Sequence, residues 1–509
     1  MDRGSDAAGG ILNPRIPAIG DTRTAWLAWS IILVTIGSGA VSAADYPHLD
    51  ATGFQRLQSA ISLDGKNPNN RGVDDTAHTV NLFRSFGQLE LIYDSSRTLR
   101  LYGKFRVMTE HASDLDGRLR NFDGCPAGFR GDGWSVRVSS DHACAEAWEL
   151  YTDVSLGAAW VRIGKQQVVW GETLGRRVLD VVNPLDLNWH LFLEPFVEEF
   201  DNIRIPQWML RVTSPLPNPW SAETDLEVIA NPGDSISTQL PGLGSPYNLT
   251  PSFVAVHDEP ARGHWTVGGR ITENVLGASL SLIALSKPVD DAVLLSSGAV
   301  VDPKLGLPTP VASGQTVPLR FLSDGVHPRV FLAGGSANYF QQQLGGVFRL
   351  EATVAPDQPY QKAPGSGDPA PTHVKRRATW RYALAVDRPT VLFPGADATT
   401  ILSFTFFETI VAGAPRGIRS NGARVDATAE QLTFALSQPL LRKLLFLELL
   451  ANYDPDGAFW VQPGARAIVG DHWRFDLFAN LLGGGENRPG RFGALGFADE
   501  VALRGAYGF

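Results

Sequence analysis

From residue 52 onward the chain is a succession of short stretches in which apolar and polar side chains alternate, separated by turn residues. Neighbouring side chains of an extended strand point to opposite faces, so alternation of period two assigns each stretch to a strand with one apolar face. The stretches fall at 52–63, 83–93, 98–109, 146–155, 157–168, 204–213, 224–231, 263–273 and 277–286. They continue at 329–339, 344–354, 376–387, 399–411, 429–438, 443–453, 457–468, 471–481 and 498–509, giving eighteen strands, with sixteen as the alternative count. The faces are cleanly divided. In 471–481 Trp473, Phe475, Leu477 and Ala479 oppose Arg474, Asp476 and Asn480, and in 443–453 Leu445, Leu447, Leu449, Ala451 and Tyr453 oppose Glu448 and Asn452.

The connections sort by length. Those near 94–97, 157, 273–276, 341–345, 438–442 and 470–471 are short. Those at 64–82, 110–145, 169–203, 232–262, 287–328, 355–375, 412–428 and 482–497 are long, and the two kinds alternate except at the tight turn Asp454-Pro455-Asp456-Gly457. Short turns at one end and long loops at the other are the pattern of a transmembrane antiparallel β-barrel. A soluble sandwich shows the same alternation with its sense inverted, so the two ends of the chain decide. The last strand, 498–509, places Val501, Leu503, Gly505, Tyr507 and Phe509 on one face, and the ending in Tyr507 and Phe509 resembles the signal read by the assembly machinery of Gram-negative outer-membrane barrels. At the other end Arg15 and Arg23 precede an apolar stretch at 25–36 and the small residues Val41-Ser42-Ala43, which predicts a signal peptide over 1–43. The expectation is an all-β fold, one barrel domain over 44–509 in the outer membrane of a Gram-negative bacterium. Its partners are then outer-membrane lipid and the barrel-assembly machinery.

Composition changes this picture little. Charged residues make up 19% of the chain and hydrophobic ones 44%, yet the mean hydropathy is −0.06, as expected of a protein that crosses a membrane with alternating strands. The net charge of −9 leaves no basic excess for phosphates, so no nucleic-acid partner is expected. Cys125 and Cys144 are the only cysteines, and in an exported chain they predict a disulfide.

The most distinctive wording lies between Trp160 and Val212: Arg162-Ile163-Gly164-Lys165-Gln166-Gln167-Val168-Val169-Trp170-Gly171-Glu172, then Leu179-Asp180-Val181-Val182-Asn183-Pro184-Leu185-Asp186, then Arg204-Ile205-Pro206-Gln207-Trp208-Met209-Leu210. It resembles the proteobacterial outer-membrane family catalogued as domain of unknown function 1302. Gln88-Leu89-Glu90-Leu91 with Leu99-Arg100-Leu101-Tyr102-Gly103-Lys104 looks like that family's early hairpin. The resemblance implies a barrel and suggests transport of hydrophobic compounds or lipids, with periplasmic and inner-membrane transport partners.

The residues themselves offer transport chemistry more than catalysis. Chain register points Lys104, Arg106, Arg162, Arg211, Arg270, Arg349, Arg381, Glu448, Arg474 and Asp476 into a hydrated interior. Cations outnumber carboxylates there, so either a weak anion preference or pairing across strands is expected. The length of 179–201 suits one or two short helices. Its aromatics Trp189, Phe192 and Phe196, together with Asp186, are expected either to fold into the barrel mouth as a constriction or to pack on its rim. Asp180, Asp186, Glu194, Glu198, Glu199 and Asp201 read as a solvated acidic face, with Ca²⁺ ligation as the alternative. No Gly-x-Ser-x-Gly elbow, His-Glu-x-x-His or phosphate-binding loop is present, so no enzyme, cofactor or metal site is expected. The first functional reading is a channel for small or amphiphilic solutes. Its alternative is a loop-plugged station of a lipid or hydrophobic-compound transport system, and a third is an outer-membrane hydrolase built on loop residues such as Asp141 and His142.

Overall fold

The computed structural model describes residues 46–63, 67–72, 80–111, 137–140, 143–187, 200–216, 224–233, 237–241, 243, 245, 247–258, 264–311, 313–363, 373–392, 399–413, 417–420, 423–484 and 493–509. Expectations placed on 1–43, Cys125, Asp141 and His142 lie outside the described residues.

Eighteen antiparallel strands form a closed wall, each paired with its neighbours in the chain. They are β1 (His48–Ser62), β2 (Val80–Ser96), β3 (Leu99–His111), β4 (Ala143–Leu156), β5 (Ala159–Gln166), β6 (Gln207–Leu216), β7 (Thr224–Asn231), β8 (Thr266–Val275) and β9 (Ala278–Pro288). Then follow β10 (Arg329–Gln341), β11 (Gly346–Lys362), β12 (Val374–Thr390), β13 (Thr400–Val411), β14 (Thr428–Leu440), β15 (Leu445–Tyr453), β16 (Phe459–Val469), β17 (Trp473–Gly483) and β18 (Glu500–Gly508). The last strand closes on the first, in register from Phe54 opposite Gly508 to Ser62 opposite Glu500. Phe509 completes the seam: its backbone N–H and C=O each bond Gly53 at 3.0 Å. A Cβ at Gly53 would lie 2.7 Å from the Phe509 ring, so this glycine is what lets the terminal ring lie against β1. Closure leaves no strand edge, which a wall surrounded by hydrocarbon requires.

The apolar face points outward. Leu282 is 70% exposed and Leu503 59%, with Trp380, Leu384, Trp473 and Phe475 also exposed, whereas Arg504 and Asn480 on the opposite faces are fully buried. Each wall strand thus divides an apolar exterior from a polar interior. The short turn at Asp454 to Gly457 stands at the loop end, closed by a bond from Gly457 N–H to Asp454 C=O at 2.8 Å.

The alternation test gives no strand in 232–262 or 287–328, yet Val254–Asp258, Val293–Val301, Leu307–Pro310 and Thr316–Val326 form a second, four-stranded sheet. Alternation marks only strands that separate an apolar face from a polar one. Val293-Leu294-Leu295-Ser296-Ser297 runs apolar then polar, so it carries no such mark. The short helices expected over 179–201 are a second correction. Among the described residues the only helix there is Phe200–Ile203, and 179–187 contains no helix. Pro184 removes a donor. The backbone of this segment is satisfied by distant groups instead of by its own neighbours: Asp186 N–H donates to Ile203 C=O at 2.7 Å, and Ile205 N–H to Pro184 C=O at 2.9 Å.

Candidate functional site

Alternation along each strand places Lys104, Arg106, Arg162, Arg211, Arg270, Arg349, Arg381, Glu448, Arg474 and Asp476 on the inward face. All but Arg381 are held in ion pairs, mostly across adjacent strands. Lys104 reaches Glu90 at 3.3 Å and Arg162 reaches Asp153 at 2.7 Å. Arg106 pairs with Glu146 and Arg349 with Asp387. Arg211 and Arg270 share Glu227 at 2.5 and 3.4 Å. Glu448 meets Arg466 at 3.2 Å. Asp476 collects three guanidiniums, Arg474 at 3.0 Å and Arg466 and Arg504 each at 2.8 Å. Charges placed on a low-dielectric wall are stable when paired and hydrogen-bonded, and neighbouring strands supply the partners at fixed register. The wall's charge is therefore neutralised locally.

The described parts of the connection between β5 and β6, 167–187 and 200–206, pack on these inward faces. Val168, Trp170, Leu179 and Val182 bury against Met209 of β6, Ile229 of β7, Ile283 and Leu285 of β9, and Val330 and Leu332 of β10. Val178 packs on Ala383 of β12 and Phe407 of β13, while Leu185 and Ile203 join Phe86, Met108 and Cys144. Two buried carboxylates of the wall hold the segment. Glu351 of β11 accepts from the N–H of Glu172 at 2.5 Å, of Thr173 at 3.1 Å and of Leu179 at 3.1 Å, and from the Thr173 hydroxyl at 3.2 Å. Glu227 of β7 accepts from the indole N–H of Trp170 at 2.5 Å. The segment is also braced within itself. Asn183 accepts from Val168 N–H at 2.8 Å and donates to Ile205 C=O at 2.8 Å, and Arg204 pairs with Asp180 at 2.7 Å.

Asp180 and Asp186 were read above as part of a solvated acidic face; both are buried. Arg204 compensates the first, and Arg106 lies 3.7 Å from the second. Trp189, Phe192, Phe196, Glu194, Glu198 and Glu199 lie outside the described residues. Among the described residues no group of three His, Cys, Asp or Glu side chains is placed to hold a metal ion. Cys144 is buried and disulfide-bonded. Trp170, Asn183 and Glu351 fasten the segment, and strand reasoning does not single them out as a set. Their signal was the run Gln166 to Trp170, where polar and apolar residues stop alternating while the wording stays distinctive.

At the loop end, residues 237–252 reach the far side of the wall. Tyr247 is buried against Ala435, Leu450, Trp460 and Leu482, and its hydroxyl donates to Glu500. Burial first, then the Glu500 charge and hydrogen bond, push the Tyr247 phenol's pKa well up. Asn67 and Asn70 donate to Ser245 C=O at 3.4 and 2.9 Å, and Asn67 also to Asn248 C=O at 3.0 Å. The base of this arm meets the second sheet at Asp258, which accepts from the Ser237 hydroxyl at 2.6 Å and lies 2.7 Å from His327 Nε2, while His327 Nδ1 lies 2.8 Å from Val289 C=O.

A family model described as "Protein of unknown function (DUF1302)" matches residues 137–509. The early hairpin at 88–104 precedes the matched residues. No curated protein matches the chain. Among solved structures it is similar to Pseudomonas aeruginosa OpdK with vanillate, at 9% identity and a TM-score of 0.42, covering 90% of this chain and 98% of that one. It is also similar to Salmonella typhi OmpF in complex with daunomycin, at 8% identity and a TM-score of 0.40, covering 91% and 98%. The outer membrane channel DcaP of Acinetobacter baumannii is similar at 10% identity and a TM-score of 0.39, covering 93% and 100%.

Proposed function

We propose that this chain, which belongs to the DUF1302 family, is a gated transport barrel of the Gram-negative outer membrane for small or amphiphilic solutes. The described stretches 167–187 and 200–206 hold it shut at rest. An exposed apolar outer wall with a charged interior supports the membrane address. Tyr507 and Phe509, on the strand that closes the wall, would serve as the signal for the assembly machinery.

The observation that carries the gated reading is the clasp on Glu351: three backbone N–H groups and one hydroxyl of the segment converge on one wall carboxylate. Amide and hydroxyl bonds are individually modest, so a clasp of this kind holds a segment in place and still lets it go. The apolar contacts of Val168, Trp170, Leu179 and Val182 with the wall give the closed state a dry seam along which an amphiphile has somewhere to bury.

Single-channel conductance of the refolded protein in planar bilayers tests the reading, comparing wild type with Glu351→Ala. Low or absent conductance that rises several-fold in the variant is the expected result. Steady wild-type conductance that Glu351→Ala leaves unchanged would refute the gate.

A further inference from the structure

Among the ten inward charges named above, Arg381 departs from the rule that governs the others. Among the described residues Arg381 of β12 has no carboxylate within ion-pair distance, and its one protein partner is Gln358 Oε1, at 3.3 Å from Nη2. Asp291 acts on it only from beyond that distance. Directly across the strand pair stands Thr353 of β11. Thr353 is 4% exposed and its hydroxyl has no partner. Arg377, two inward positions nearer the loop end, also has no carboxylate partner among the described residues and bonds the Arg376 carbonyl at 3.1 Å. Thr353 lies one inward position above Glu351, so this group sits on the loop side of the clasp. One inward position toward the turns, Val178 of the gating segment meets Ala383 and Phe407.

We propose that Arg381 and Thr353 form a binding site for the carboxylate of a monoanionic amphiphile, whose apolar body lies along the seam between Val178 and the wall. A guanidinium presents parallel N–H donors that match a carboxylate, and a neighbouring hydroxyl adds a further donor. For the other cations of those ten the protein supplies the anion; here the position is left to the solute. Within the site Arg381 is the one cation at hand among the described residues, Arg377 standing two inward positions away, so the site suits a single negative charge. The adjoining Ala383 and Phe407 favour an alkyl or aryl carboxylate over a small inorganic anion. The site rests on the lumen being reached by solutes, as proposed above, and it stands at the seam that must open for passage.

Calorimetric titration of the protein in nanodiscs with octanoate, octylammonium and octanol tests the assignment. Octanoate is expected to bind in preference to the other two. Arg381→Gln should weaken octanoate by about tenfold or more, Arg381→Lys should restore part of the loss, and Thr353→Val should weaken it by a few-fold. Arg100→Gln, at an exposed pair with Asp94, serves as the control and should leave binding unchanged. Heat-modifiable migration on gels establishes that each variant is folded. Octanoate binding that is absent in wild type, unaltered in both Arg381 variants, or matched by octanol would overturn the site. Binding that depends on Arg381 while Glu351→Ala leaves conductance unchanged would uphold the site and refute the gated reading instead.

Discussion

Two carboxylates on the inward face of the same wall are almost equally buried, Asp476 at 3% exposure and Glu351 at 2%. Asp476 is gripped by Arg466 of β16, Arg474 of its own strand and Arg504 of β18, so it stitches three strands together next to the seam where the wall closes. Glu351 has no cation within ion-pair distance among the described residues, and its bonds go to backbone amides of a segment that is not part of the wall. The same chemical group on the same face therefore serves cohesion in one region and fastening in the other. What decides is whether the neighbouring strands supply guanidiniums. Glu227 stands between the two: one oxygen pairs with Arg211 and Arg270 of the adjacent strands while the other accepts from Trp170 of the segment. Glu351, with no guanidinium beside it among the described residues, is given wholly to the segment.

The sharpest test of that contrast is Asp476→Ala. It removes the carboxylate that three cations share, one of them fully buried, and should cost about 3–5 kcal/mol of unfolding free energy, read from a lowered midpoint in urea, with little change in conductance. Glu351→Ala should show the opposite split, a loss of about 1–3 kcal/mol with the larger change in conductance. Equal effects of the two substitutions on both readouts would break the comparison. Trp170→Phe removes the indole bond to Glu227 while keeping most of the apolar contact. It should cost about 1.5–3 kcal/mol at most and raise conductance less than Glu351→Ala does.

A smaller effect is expected at the tie of the mouth arm. Both His327 ring nitrogens face acceptors, Asp258 and the Val289 carbonyl, so only the doubly protonated ring donates to both. Burial alone would lower the His327 pKa, but the hydrogen bond and charge of Asp258 outweigh it and raise it. Burial would likewise raise the Asp258 pKa, and the bonds from His327 and Ser237 lower it instead. The histidine contribution is thus fully present below about pH 6.5 and is lost as pH rises through the raised folded value; the aspartate contribution is present above about pH 3.9 and is lost as pH falls through the lowered one. Limited proteolysis of the second sheet should be slowest between those limits and quicken on the alkaline side. His327→Gln should flatten the alkaline dependence. The smallest expected effect is that of Arg100→Gln, whose largely exposed pair with Asp94 should contribute under about 1 kcal/mol to the same urea midpoint.

Much of the wall was legible because lipid on one side and water on the other impose a period of two on every strand. Trp473, Phe475 and Leu477 against Arg474 and Asp476 could be sorted without coordinates. Connection lengths gave the orientation of the ends. The second sheet was not legible, since Val293 to Val301 separates no apolar face from a polar one. Nor was the clasp: Glu351 reads from the chain as one more inward charge, and its partners lie more than 170 residues away in sequence. The acidic run at Asp180 and Asp186 was read as solvated because the compensating Arg204 and Arg106 are brought to it only by the folded segment.

The sequence by itself determined the class of fold, the positions of the wall strands, the sense of each of their faces and the identity of the charges turned inward, because these follow from local alternation against a two-phase surrounding. Only the tertiary structure decided which inward charges meet. Pairing depends on register around a closed wall and on where one long connection lies, and both are set by contacts between residues distant in the chain. That is why Asp476 proved to be a rivet, Glu351 a clasp, and Arg381 a cation without a carboxylate.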